Sequence, residues 1–125
     1  MGNWGFGNFD NDTAADHLSI VTNRLLDEVA EAISGDPVEL EPDEYWGVAV
    51  PCNLELLYRL AELRYVGVTL PEPDVATEWK RHYLAVWDES IGGLVESAQA
   101  REARRAVLVE TFDRFIAAAG RDATD

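Results

Sequence analysis

Apolar residues recur along this chain at steps of three and four, the spacing that gathers side chains on one face of an α-helix. Ala14, Leu18, Val21, Leu25, Val29 and Ile33 form the first such stripe, in a helix expected to begin at Thr13. Asp12 suits its N-cap, with Asp10 and Asn11 close by, and Ser34-Gly35-Asp36-Pro37 stops it. A second helix is expected from Pro42 or Asp43, carrying Trp46, Ala49, Val50, Leu57, Leu60 and Ala61. Pro51 lies inside it and has no amide to offer the Gly47 carbonyl, which predicts a kink or short break with Asn53 as a fresh cap. Gly67 is expected to end this element, and Val66–Pro71 reads as extended. A third helix opens around Pro73–Asp74 and runs to about Asp88, with Ala76, Trp79, Tyr83 and Trp87 on one face. After Gly92-Gly93, a fourth runs from near Ser97 to Gly120 with Leu108, Phe112, Phe115, Ile116 and Ala119 inward. The pattern predicts an all-α fold, a single-domain bundle of four to five helices over residues 1–125.

The two ends lie outside this periodicity. Residues 1–12 are rich in Gly, Asn and aromatic residues, and burying Trp4, Phe6 and Phe9 predicts a segment packed on the helices. Residues 121–125 are expected to fray.

Charge changes the picture more than composition does. The formal net charge is −14 over 125 residues, and it is uneven. Residues 1–58 hold twelve acids and one base, Arg24; residues 59–125 hold twelve acids and nine bases. Such a chain repels a nucleic-acid backbone and an anionic membrane surface, so neither is expected as a partner. From Asp27 to Glu55 there are nine acids and no Lys or Arg. The densest part is the connector between the first two helices, with Asp36, Glu39, Glu41, Asp43 and Glu44. Asp27 and Glu31 repel one another at i,i+4, so local stability gains nothing from the run. A basic protein partner would be steered towards it.

Candidate chemistry is sparse. Cys52 is the only cysteine, so no internal disulfide forms. No run of about 18 apolar residues is present, and the first residues lack the basic and apolar regions of a signal peptide, so a cytoplasmic protein is expected. Gly2 invites myristoylation, but Phe6 stands where that pattern wants Ser or Thr. Asp10, Asn11, Asp12 and Asp16 are hard-cation ligand types, yet Ala14 breaks the calcium-loop pattern, and a helix N-terminus explains all four. The glycines Gly2, Gly5 and Gly7 follow no strand, which argues against a phosphate loop. His17 beside Asp16, and His82 four residues after Glu78, are acid–histidine pairs without a second ligand motif. These residues point to no cofactor and no metal site.

The run Trp4-Gly5-Phe6-Gly7-Asn8-Phe9-Asp10-Asn11-Asp12-Thr13-Ala14-Ala15-Asp16 resembles the N-terminal signature of the bacterial family called domain of unknown function 4259, Trp-Gly-x-Gly-x-Phe-Asp-Asn-Asp-x-Ala-x-Asp. Every specified position is matched. Pro51 stands where that family has an Ala-rich segment. The resemblance implies a small, mostly helical bacterial protein and implies no activity.

Together these features point to a small acidic binding protein that docks a basic partner through Asp36, Glu39, Glu41, Asp43 and Glu44. Immunity or antitoxin-type proteins that neutralise a basic toxin use this logic. The alternative is an enzyme or metal-binding regulator using the N-terminal carboxylates and a histidine.

Overall fold

The computed structural model describes residues 2–94 and 97–124, and its architecture is all-α. Four helices follow one another: α1 (Asp12–Ser34), α2 (Tyr45–Glu62), α3 (Pro73–Ser90) and α4 (Ala98–Thr124). A 3-10 turn, Pro37–Leu40, bridges α1 to α2, and another, Ile91–Gly93, follows α3. α2 lies at the centre and packs on α1 and α4, while α3 packs mainly on α4. One continuous core joins all four, built around Val29, Leu54, Leu57, Tyr83, Trp87, Leu108, Phe112 and Phe115. Within it Tyr83 and Phe112 lie with ring centroids 5.4 Å apart, and Trp79 stacks on Phe115 at 6.0 Å.

α1 begins one residue earlier than expected, and its cap is Asn11 rather than Asp12: the Asn11 side chain accepts the Ala14 amide at 2.8 Å. Its buried face also differs by one position. Val21 is exposed and Thr22 is fully buried. The Thr22 hydroxyl meets the Thr69 hydroxyl at 2.7 Å and accepts the Thr69 amide at 3.1 Å, so its burial leaves no polar atom unpaired. Ser19 adds a hydrogen bond to the Gly67 carbonyl at 2.6 Å. Gly67 has φ +106, and a Cβ there would stand 2.3 Å from the Ala15 carbonyl oxygen. Only glycine allows both the turn and this approach. The extended segment after α2 is thus strapped to α1 by polar contacts.

α2 starts at Tyr45, later than Pro42, because Pro42 and Asp43 belong to a turn closed by the Glu44 amide on the Glu41 carbonyl at 2.9 Å. The break expected at Pro51 is absent; the helix runs through to Glu62. The carbonyl that Pro51 leaves without an amide, that of Gly47, accepts the Tyr83 hydroxyl at 2.5 Å. A side chain from α3 thus replaces the missing helix bond, and Tyr83 is itself fully buried. Asn53 is therefore no cap. It is buried, and its amide donates to the Leu25 carbonyl at 3.2 Å and to the Glu28 carboxylate at 2.9 Å, tying α2 to α1. The helix ends before Gly67, with Arg64 in the left-handed region at φ 65.

α3 opens at Pro73 as expected and extends to Ser90. Ser97 caps α4, accepting the Ala100 amide at 3.0 Å. α4 continues to Thr124, past the Gly120 end expected for it; Asp125 of the tail expected to fray lies outside the described residues.

The N-terminal segment is held otherwise than expected. Trp4 is half exposed and Phe6 wholly so. Phe9 reaches the body, stacking on Tyr65 with centroids 4.6 Å apart. Backbone bonds and carboxylates fix the loop: the Trp4 amide donates to the Asp10 carbonyl at 2.7 Å, the Gly7 amide to the Asp10 carboxylate at 2.8 Å, and the Gly2 amide to the Asp12 carboxylate at 3.0 Å. Because these bonds define the loop without burying Trp4, Trp4→Ala is expected to change stability by under about 1 kcal/mol in a urea titration. A loss of about 3 kcal/mol or more, the cost of truncating a core aromatic, would contradict this.

Candidate docking surface

The acidic connector is short and anchored at both ends. Pro37 opens the 3-10 turn and Asp36 caps it, its carboxylate accepting the Val38 amide at 3.0 Å. Leu40 is fully buried and pins the turn to the core. The Glu41 amide donates to the Val38 carbonyl at 3.2 Å. Glu41 then presses its own carbonyl against α2 at Gly47, where a Cβ would stand only 1.9 Å from the Glu41 oxygen. Anchored at Leu40 and Gly47, the connector presents its acids in a fixed arrangement, which lowers the entropy cost of docking.

Asp36, Glu39, Asp43 and Glu44 are exposed and Glu41 is half-buried. The structure divides them between two sides. On one, Pro37, Val38 and Glu41 face Val86, Glu89 and Ser90 of α3 across a cleft of about 310 Å³, with Asp36 and Glu39 on the same turn. Val38, 57% exposed, gives this side an apolar centre. On the other, Asp43 and Glu44 border a groove of about 490 Å³ along α2, beside Tyr45, Val48 and Cys52. Val38, Val86 and Glu89 escape sequence reasoning because α3 meets the connector only in the folded chain. The exposure of Val38 between acids is the one local signal.

The distribution of ion pairs sharpens the charge asymmetry. Among the described residues Arg59 pairs with Glu55, Lys80 with Asp113, Arg81 with Glu78, Arg105 with Asp88 and Arg114 with Glu62. The acids in these pairs all lie on α2, α3 and α4. No acid of the connector forms an ion pair there. The Arg105 hydrogen bond holds the Asp88 carboxyl below the usual carboxylate range, and that of Arg81 does the same for Glu78. Five of the ten Lys and Arg side chains are thus paired with acids of the helices, and of the rest Arg104 lines a cavity with Pro42 and Asp43 at one end of the connector.

The other candidates separate. Asp10 and Asp12 bind amides of their own loop, as described above. His17 is exposed, and His82 is half-buried with no hydrogen-bond partner for Nε2. Glu78, four residues before His82, pairs with Arg81 at 2.6 Å. Among the described residues no three His, Cys, Asp or Glu side chains form a group able to hold a metal. The Cys52 thiol is exposed. Among the described residues no helix is long and apolar enough to cross a membrane.

No protein-family model, curated protein or solved structure matches this chain.

Proposed function

We propose that this chain is a small acidic binding protein that docks a basic protein partner through the connector Asp36–Glu44 and the adjoining end of α3. The observation that carries the reading is the pre-set row of acids without ion pairs around exposed Val38, completed by Glu89. An apolar centre ringed by one sign of charge suits recognition: the centre supplies affinity on desolvation, and the ring supplies steering and register. Immunity or antitoxin-type neutralisation of a basic toxin in the cytoplasm is the biological form we favour, because covering a basic cleft needs such a face. The likeness of Trp4–Asp16 to the family called domain of unknown function 4259 belongs to the same proposal and adds no chemistry. The reading as an enzyme or metal-binding regulator gains no support, since the N-terminal carboxylates are engaged by the Gly2 and Gly7 amides.

The test compares the tagged full chain with Glu39→Lys/Glu89→Lys in a pull-down from its native cell extract. Both side chains are exposed, so the double reversal is expected to fold normally. A basic protein is expected on the wild-type chain, absent from the variant, and eluted by salt at about 500 mM. The same proteins retained by both chains would overturn the assignment.

A further inference from the structure

α2 is apolar on two sides. Its inner side holds Val50, Leu54, Leu57 and Tyr58 in the core. Its outer side carries a second stripe at steps of three and four: Tyr45 (73% exposed), Val48 (52%), Cys52, Leu56 (52%) and, just past the helix end, Leu63 (60%). Only Arg59 interrupts it. Among the described residues nothing covers this face, and it runs the whole helix, roughly 27 Å at 1.5 Å per residue. Scattered exposed apolar residues are ordinary, but a continuous stripe marks an interface.

The charges along the stripe say what covers it. At its N-terminal end stand Asp43 and Glu44; at its C-terminal end stands Arg64, exposed, while Arg59 is already paired with Glu55. A uniformly basic partner is attracted at one end and repelled at the other. A second copy laid antiparallel is matched at both. With the two-fold axis at Leu54, Tyr45 lies opposite Leu63 of the second copy, Cys52 opposite its Leu56, and Glu44 opposite its Arg64. The groove of about 490 Å³ beside Tyr45, Val48, Ala49 and Cys52 offers room for the facing leucines. Antiparallel helices also align their dipoles favourably. We infer that this protein is a homodimer formed by two-fold, antiparallel pairing of the outer faces of α2.

This pairing takes Asp43 and Glu44 from the connector but leaves the side with Asp36, Val38, Glu39 and Glu89 uncovered, so Leu56→Glu tests the pairing and Glu39→Lys/Glu89→Lys tests the docking reading separately. It leaves the two docking faces on separate copies, so the dimer is bivalent.

Sedimentation equilibrium of the full chain tests the pairing. At tens of micromolar, a mass twice the 13.9 kDa of one chain is expected. Leu56→Glu should reduce it to one, with helical circular dichroism unchanged because Leu56 is exposed. Arg64→Glu should weaken the dimer at least about tenfold by opposing like charges, and Glu44→Arg/Arg64→Glu should restore it. Cys52 gives a second readout. The two copies of this only cysteine would sit about 6 Å apart along the helix axes, within reach of a short bis-maleimide. Wild type should therefore cross-link to a dimer and Leu56→Glu should not. A wild-type mass of one chain at 100 µM, or a dimer unaffected by Leu56→Glu, would overturn the inference. A charge swap that fails to restore association would overturn the antiparallel register.

Discussion

Gly47→Ala is expected to destabilise the protein by at least about 2 kcal/mol, the usual cost of forcing extra volume into a packed site. In an ordinary helix interior this exchange stabilises by about 1 kcal/mol, because alanine is the better helix former. The sign reverses here because the new methyl would meet the Glu41 carbonyl at 1.9 Å and the Leu40 carbonyl at 2.8 Å. Both contacts are backbone, so no side chain can rotate away. The connector must lift from α2, dragging Leu40 out of the core and scattering the acids it carries. The melting temperature should fall by several degrees or more. A melting temperature equal to or above wild type would show that the connector does not rest on α2 as described.

Tyr83→Phe should cost about 1–3 kcal/mol, the penalty for leaving the buried Gly47 carbonyl unpaired. The companion variant separates this from simple loss of a hydroxyl. Pro51→Ala restores the amide that an uninterrupted helix would aim at the same carbonyl. In that background Tyr83→Phe should cost less by about 1 kcal/mol, a coupling measurable by a double-mutant cycle in urea. Equal costs in both backgrounds would mean that Tyr83 does not substitute for the proline. The hydroxyl also sets a pH limit. Burial pushes the Tyr83 hydroxyl up to about 12, against an ordinary value of 10; Arg104 opposes the shift and Cys52 adds to it. The folded chain keeps this proton where the unfolded chain releases it. The stabilisation is fully present below about pH 10 and is lost as pH rises through about 12. Tyr83→Phe should remove that part of the alkaline loss of stability.

How far the sequence predicts the fold depends on how local each cause is. All four helices follow from periodicity and punctuation, since stripes, Gly35, Pro73 and Gly92-Gly93 act within a turn or two. Thr22 does not follow. Hydropathy favours Val21, and only Thr69, brought close by the return of the chain, makes a buried threonine affordable. Pro51 fails for the same reason, its remedy being a tyrosine on α3. Trp4 fails because apolar area suggested burial, whereas the loop is closed by amides on Asp10 and Asp12. The acids of the connector were legible because charge is local. Their division between two sides, the cleft with Glu89, and the outer stripe of α2 needed the packing to show which face each helix had already spent.

The central claim, that the connector draws in a basic partner, is tested most directly by the salt dependence of the association rate. The protein recovered by wild type is mixed with wild type and with Glu39→Lys/Glu89→Lys by stopped flow from about 50 to 500 mM salt, over which screening shortens the reach of exposed charges from about 14 Å to about 4 Å. For wild type the rate should fall by about tenfold or more, with dissociation changing much less. The double reversal should associate more slowly at low salt and converge on wild type at high salt. A flat salt profile, or a double reversal that associates as fast as wild type at 50 mM, would mean that contact is made elsewhere on the molecule.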